Sequence, residues 1–207
     1  MDHASEYNVE GGLLSLGEFI FLELISEMEL PQDVHQFLIL NKKTYKLILH
    51  PRFARIIQSI KGIVRFEVIY KNTVLWRIIG IADASCSFAA GRALWQDGNL
   101  EKIVSYVGHL GTLAHKTNGT TGNQKYEDGQ RIAVEVDMTT VPRKATFFVE
   151  NVEQPNFVIG IPEAIRFWAF TFEKSSSFTI TKFERLIQSI AKGVEGSKAF
   201  EWGKEWK

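Results

Sequence analysis

Glu135 and Asp137 stand one residue apart in RIAVEVDM, close enough to raise the question of a paired-carboxylate active site. In a strand, residues two apart share a face, so Ile132, Val134, Val136 and Met138 take one side and the two acids the other. A glycosidase needs its second carboxylate across a cleft and aromatic platforms for the sugar. The same two acids also suit the solvated or hydrogen-bonded face of a sheet, and that reading is preferred. The five histidines, His3, His35, His50, His109 and His115, have no metal-ligand spacing among themselves or with the lone cysteine, so no metal is expected. Cys86 lies among small residues with no basic neighbour in sequence to activate it, and reads as a structural thiol. Gly108 and Gly111 are not followed by the Gly-Lys-Ser/Thr of a phosphate loop, and no cofactor is expected.

The elements that position these residues fall into two periodicities. After a polar tail over 1–12, the segment 13–61 has helical spacing: Phe19, Leu22, Ile25 and Met28 recur until Pro31, Asp33 can cap a second helix ending at His50-Pro51, and Phe53, Ile56, Ile57 and Ile60 form a third stripe. From Gly62 the period becomes two. IVRFEVIY, LWRIIGIAD, KIVSYVG, RIAVEVDM, ATFFVEN, FVIG, AIRFWAFTF and SSFTITKF read as strands separated by turn residues such as Asp97-Gly98-Asn99 and Asp128-Gly129. Many short strands without helices between them predict a mainly β, antiparallel sandwich or barrel. FERLIQSIAKG repeats the spacing of FARIIQSIKG and predicts a short C-terminal helix within 187–207.

Composition narrows the function. The 24 basic and 24 acidic residues cancel, and no basic run is interleaved with aromatics, so nucleic acid is not an expected partner. No window reaches about 18 uninterrupted apolar residues, so no membrane helix is expected. A single cysteine and a polar N-terminus favour the cytosol or nucleus. Phe200, Trp202 and Trp206 in the charged C-terminal tail either fold back on the sandwich or form a docking peptide.

GQRIAVEVDMTTVPRKATFFVENVEQP resembles the central hairpin of SPRY domains, a "GD-x-IG-x-x-LD" strand followed by a "tLsFfxNG" strand. Gly129, Ile132, Val136, Asp137, Thr146, Phe147, Phe148 and Asn151 fit; Gln130 and Val152 replace the family's Asp and its final Gly. IIGIAD and AIRFWAFTF resemble an early and a late strand of the family, so the resemblance covers about residues 62–186. It implies a concanavalin-like sandwich that binds a peptide or protein through loops and is not an enzyme. Arg92, Trp95, Tyr106, His109, Arg143 and Lys144 are the expected rim.

The segment before it resembles the F-box, on Leu24, Asp33, Val34, Leu38, Leu40, Asn41, Lys42, Tyr45 and Leu47, though the family's opening Leu-Pro is missing. A true F-box would dock a Skp-type adaptor, with Val34, Leu38, Leu40 and Tyr45 as contacts, and through it a cullin ubiquitin ligase. Helices that only pack on the sandwich are the other reading. The competing functional class is a lectin-like carbohydrate binder or hydrolase, which would need the acids and Trp76, Trp95, Trp168 or Tyr106 to converge on one concave face.

Overall fold

The computed structural model describes residues 62–86, 98–116 and 118–206. The helical stripes and F-box-like positions of 13–61 lie outside them, as do Arg92 and Trp95. The described residues form twelve strands in chain order: β1 Ile63–Lys71, β2 Arg77–Asp83, β3 Ile103–Val107, β4 Thr112–His115, β5 Asn118–Thr120, β6 Arg131–Asp137, β7 Lys144–Val149, β8 Val152–Glu153, β9 Asn156–Ile159, β10 Ile165–Thr171, β11 Ser177–Leu186 and β12 Lys198–Glu201. A 3-10 turn, Asn99–Lys102, precedes β3.

The strands form two sheets. One runs β11-β1-β6-β7-β9-β12 with β8 hairpinned onto β7; the other runs β10-β2-β3-β4-β5. Alternation explains how they pack. Val64, Phe66, Val68 and Tyr70 of β1, Ile132, Val134 and Val136 of β6, and Ala145, Phe147 and Val149 of β7 face Ile79, Ile81, Val104, Tyr106, Leu113 and Ile165 of the second sheet, in one buried core. Phe147 faces inward and Phe148 outward, as consecutive strand residues must. Full burial of such an aromatic side chain is worth about 2–3 kcal/mol.

The β7–β8 turn shows how the chain manages without the SPRY-like glycine. Glu150 and Asn151 adopt φ of 50° and 65°, and Val149 pairs with Val152, so this is a two-residue turn with both central residues left-handed. Glu150 is compensated there: its carboxylate accepts from the Arg131 backbone N–H (2.7 Å) and from Arg131 Nη2 (2.7 Å).

Residues 187–206 contain no helix, which corrects the C-terminal helix expected from FERLIQSIAKG. β1 recruits Phe183–Leu186 into β11, where Phe183 packs edge-on against Phe66. The remaining residues are too few for a self-supporting helix, and carboxylates of the sheet take their polar groups instead. Ser189 Oγ donates to Glu135 Oε1 (2.5 Å), Ile190 N–H to Glu135 Oε2 (3.3 Å), and the N–H groups of Lys192 and Gly193 to Glu153. These residues mark the path of a strap over the outer face of the larger sheet. It leads to β12, which pairs parallel with β9, so the sheet extends past residue 186.

The aromatic tail folds back. Trp206 is buried, Phe200 and Trp202 pack against the core, and the Trp206 indole N–H donates to the Glu201 carbonyl (2.9 Å). His115 is buried at the end of β4. Its Nδ1 meets the Ile103 carbonyl (2.7 Å) while Nε2 accepts from the Gly203 N–H (2.9 Å), and Trp202 and Trp206 lie 5.1 and 5.2 Å from its ring. This pattern fixes a neutral imidazole with the proton on Nδ1.

Candidate interaction site

Both members of the acidic pair are engaged in structural hydrogen bonds. Glu135 and Asp137 do share the outer face of β6, and both are buried. Glu135 is occupied by the strap. Asp137 Oδ1 accepts from the Thr139 N–H (2.8 Å) and hydroxyl (2.6 Å), shaping the start of the β6–β7 connection. Beside them on β1, the buried Arg65 pairs with Glu67 (3.1 Å), donates to Asn151 Oδ1 (2.9 Å) and stacks 4.7 Å over Phe148. The aromatics of a sugar platform lie elsewhere: Tyr106 between the sheets and Trp168 on the outer face of the smaller one. Among the described residues, acids and aromatics therefore do not converge. Among the described residues no group of three or more His, Cys, Asp or Glu side chains could hold a metal, and Cys86 is a buried thiol that burial pushes above its ordinary pKa.

The expected rim residues separate. Tyr106 is fully buried, a correction to its place on a rim: β3 is apolar on both faces, and its parity points the phenol into the core. Arg143 and Lys144 lie at the β6–β7 tip, at the end of the sandwich opposite to His109. They are not free there. Arg143 Nε donates to the Ile161 carbonyl (2.9 Å), and Lys144 Nζ sits 5.0 Å above the Phe157 ring. His109 alone of the described rim candidates stands on a rim with apolar company.

That rim is built by three connections at one end of the sandwich, 72–76, 108–111 and 172–176. Its base is a cluster of buried tyrosines. Tyr126 stacks with Tyr70 and meets Tyr106 edge-on, and its hydroxyl reaches the carbonyls of Tyr106 (2.9 Å) and Arg77 (3.1 Å). Tyr70 donates to the Ile78 carbonyl (2.5 Å), and Tyr106 donates to that of Gln124. Burial pushes all three phenols well above their ordinary pKa, so they remain donors at any working pH.

Above the tyrosines, side chains fasten each connection. Asp128 accepts from the Thr73 N–H (2.8 Å) and from its hydroxyl, while Arg77 donates to the Tyr126 carbonyl (3.0 Å) and to Thr73 Oγ1 (3.3 Å). Glu173 Oε1 accepts from the Leu75 N–H (3.2 Å). Burial acts to raise the Glu173 pKa, but the N–H groups of Leu75, Glu173, Val74 and Trp76 outweigh it and hold the carboxyl below the ordinary glutamate value. Gly111 is required where it is: φ is +67°, and a Cβ would lie 2.4 Å from the Asn123 carbonyl oxygen.

These connections present apolar side chains beside the exposed polar residues Asn72, Lys174 and Ser175. Val74 (71% exposed), Leu75 (49%), Leu110 (51%) and Phe172 (65%) project outward. Trp76 and His109 stand edge-on with centroids 5.3 Å apart, and His109 Nδ1 is buried with no hydrogen-bond partner among the described residues. A cluster of exposed apolar side chains on a polar, rigid frame is the composition of a recognition surface. Of these, only Trp76 and His109 were singled out by sequence. The signal for the others was available: apolar residues beside Asn72-Thr73, Gly108, Gly111 and Lys174-Ser175 sit in turns, where strand alternation cannot bury them.

No protein-family model matches the chain, and no curated protein matches it. Among solved structures, the chain is similar to the SPRY domain of human HERC1, with a TM-score of 0.44 and 12% identity over 58% of this chain and 74% of that one. The match is partial and weak.

Proposed function

We propose that the chain is a non-enzymatic adaptor whose SPRY-like sandwich binds an extended peptide or a protein surface through the 72–76, 108–111 and 172–176 connections. The observation that carries this is the exposure of Val74, Leu75, Leu110 and Phe172 on connections fixed by Asp128, Arg77 and Glu173. A preorganised apolar surface loses little conformational freedom on binding, which favours affinity over a mobile loop of the same composition. The SPRY-like hairpin motif supports the same assignment. Absence of converging acids and aromatics disfavours the lectin-like alternative.

The finer reading is that the chain is the substrate receptor of a Skp/cullin-type ubiquitin ligase acting in the cytosol or nucleus, with Val34, Leu38, Leu40 and Tyr45 as the adaptor contacts. It rests on the F-box-like spacing before Gly62. Affinity capture from a cell extract tests both levels. The full chain should retain a Skp-type adaptor and cullin, and a chain beginning at Gly62 should lose them; equal retention by both removes the F-box. Val74→Ser/Leu110→Ser/Phe172→Ser in the full chain should lose the remaining partners and keep the adaptor. Partners unaffected by that variant would place recognition elsewhere.

A further inference from the structure

The strand β11 is ten residues long and, among the described residues, pairs on one side only, with β1. Ser177 to Lys182 are all exposed, with Ile180 at 54% and Phe178 at 39%. An open edge is ordinarily blunted by charge or a bulge; β11 carries Lys182, Glu184 and Arg185 and bulges at Thr181, so the regular stretch open to a second strand is Lys182–Leu186. Charges of one sign would repel a second copy. Here the order matters. Lys182 and Glu184 lie on the same face, with Nζ and Oε1 3.7 Å apart, and read antiparallel they meet their own sequence with opposite sign.

The neighbouring strand sets the same alternation. In the β1–β11 register Lys182 stands opposite Glu67, and Glu184 opposite Arg65. A second β11 placed antiparallel about Phe183 continues each row with the correct sign: Arg65, Glu184, then Lys182 of the second copy and its Glu67. The companion row runs Glu67, Lys182, then Glu184 and Arg65 of the second copy. Opposite charges directly across a strand pair stabilise, and like charges destabilise. A two-fold axis makes every such contact twice.

We infer that β11 is a homodimer seam, in which a second copy of this chain adds its own β11 antiparallel across Phe183 and joins the two larger sheets into one. The seam is separate from the loop surface proposed above, and neither depends on the other. A single strand pair buries little area, so the association is weak and concentration-dependent, in the micromolar range.

Sedimentation velocity of the full chain over a concentration series tests this, with three preparations. The unsubstituted chain should shift from monomer to dimer as concentration rises. Lys182→Glu alone and Glu184→Lys alone should each raise the dissociation constant about tenfold or more, because both symmetric contacts become like-charged. Mixing the two variants should restore dimer, since each then supplies the charge the other lacks. Melting curves of both variants establish that they fold. A chain that stays monomeric throughout the series, a dimer indifferent to both reversals, or a mixture that fails to recover would each overturn the inference.

Discussion

The two ends of the sandwich use similar residue types for opposite purposes. At the β6–β7 tip, Arg143 and Lys144 resemble binding residues, yet the guanidinium is spent on the Ile161 carbonyl and the ammonium on the Phe157 ring. At the other end the charged residues, Asp128, Arg77 and Glu173, are also spent on the protein's own loops, but those loops leave Val74, Leu75, Leu110 and Phe172 exposed. Recognition capacity is therefore better judged from what a side chain still lacks than from its type. Among the described residues, exposed aliphatic and aromatic groups on that frame have no cover.

Disrupting the frame is the harshest way to erase the contrast. Tyr126→Ala should cost about 3–5 kcal/mol, because it empties a fully buried aromatic site beneath the loops, and urea unfolding would read it. Asp128→Ala should cost about 1–2 kcal/mol by freeing the Thr73 turn, and should weaken partner binding with no effect on the β6–β7 tip. Amide exchange at Thr73 and at Thr139 would report the two ends separately.

The His115 lock gives a pH-dependent prediction. Burial lowers its pKa; the Ile103 carbonyl opposes this, Lys116 adds to the lowering, and Glu205 and Glu101 oppose it. Its folded pKa thus lies below the unfolded value of about 6.5. Above that value both states hold a neutral ring and the contribution is complete. As pH falls, the unfolded chain takes up the proton first, so stability declines through the window between about 6.5 and the lower folded value. Thermal melts from neutral to mildly acid pH should show this decline, and His115→Gln should flatten it. The smallest effects belong to the polar tip: Arg143→Ala and Lys144→Ala should each cost about 1 kcal/mol or less in urea unfolding, and neither should impair partner binding.

Strand identity and facing were legible wherever one face was polar. Val64, Phe66 and Val68 alternate with Arg65 and Glu67, and Val134 and Val136 with Glu135 and Asp137, so these sets could be assigned to the core from spacing. β3 offered no such guide, since Ile103 and Val107 are buried on the face opposite to Val104 and Tyr106. The strap was hidden for another reason. Helical spacing in Phe183 to Ile190 is real, but the carboxylates that overrule it, Glu135 and Glu153, come from strands far away in sequence. The loop surface was partly legible through Trp76 and His109, and obscured because charge and size drew attention to the opposite tip.

On the proposed function, the apolar loop end, and not the polar tip, is where this protein binds. A random-peptide phage library selected on the full chain, followed by calorimetric titration of the best synthetic peptide, tests it directly. Val74→Ser/Leu110→Ser/Phe172→Ser should abolish measurable binding with an unchanged melting temperature, while Arg143→Ala/Lys144→Ala should bind as tightly as the unsubstituted chain. Binding that survives the first variant and disappears with the second would contradict it.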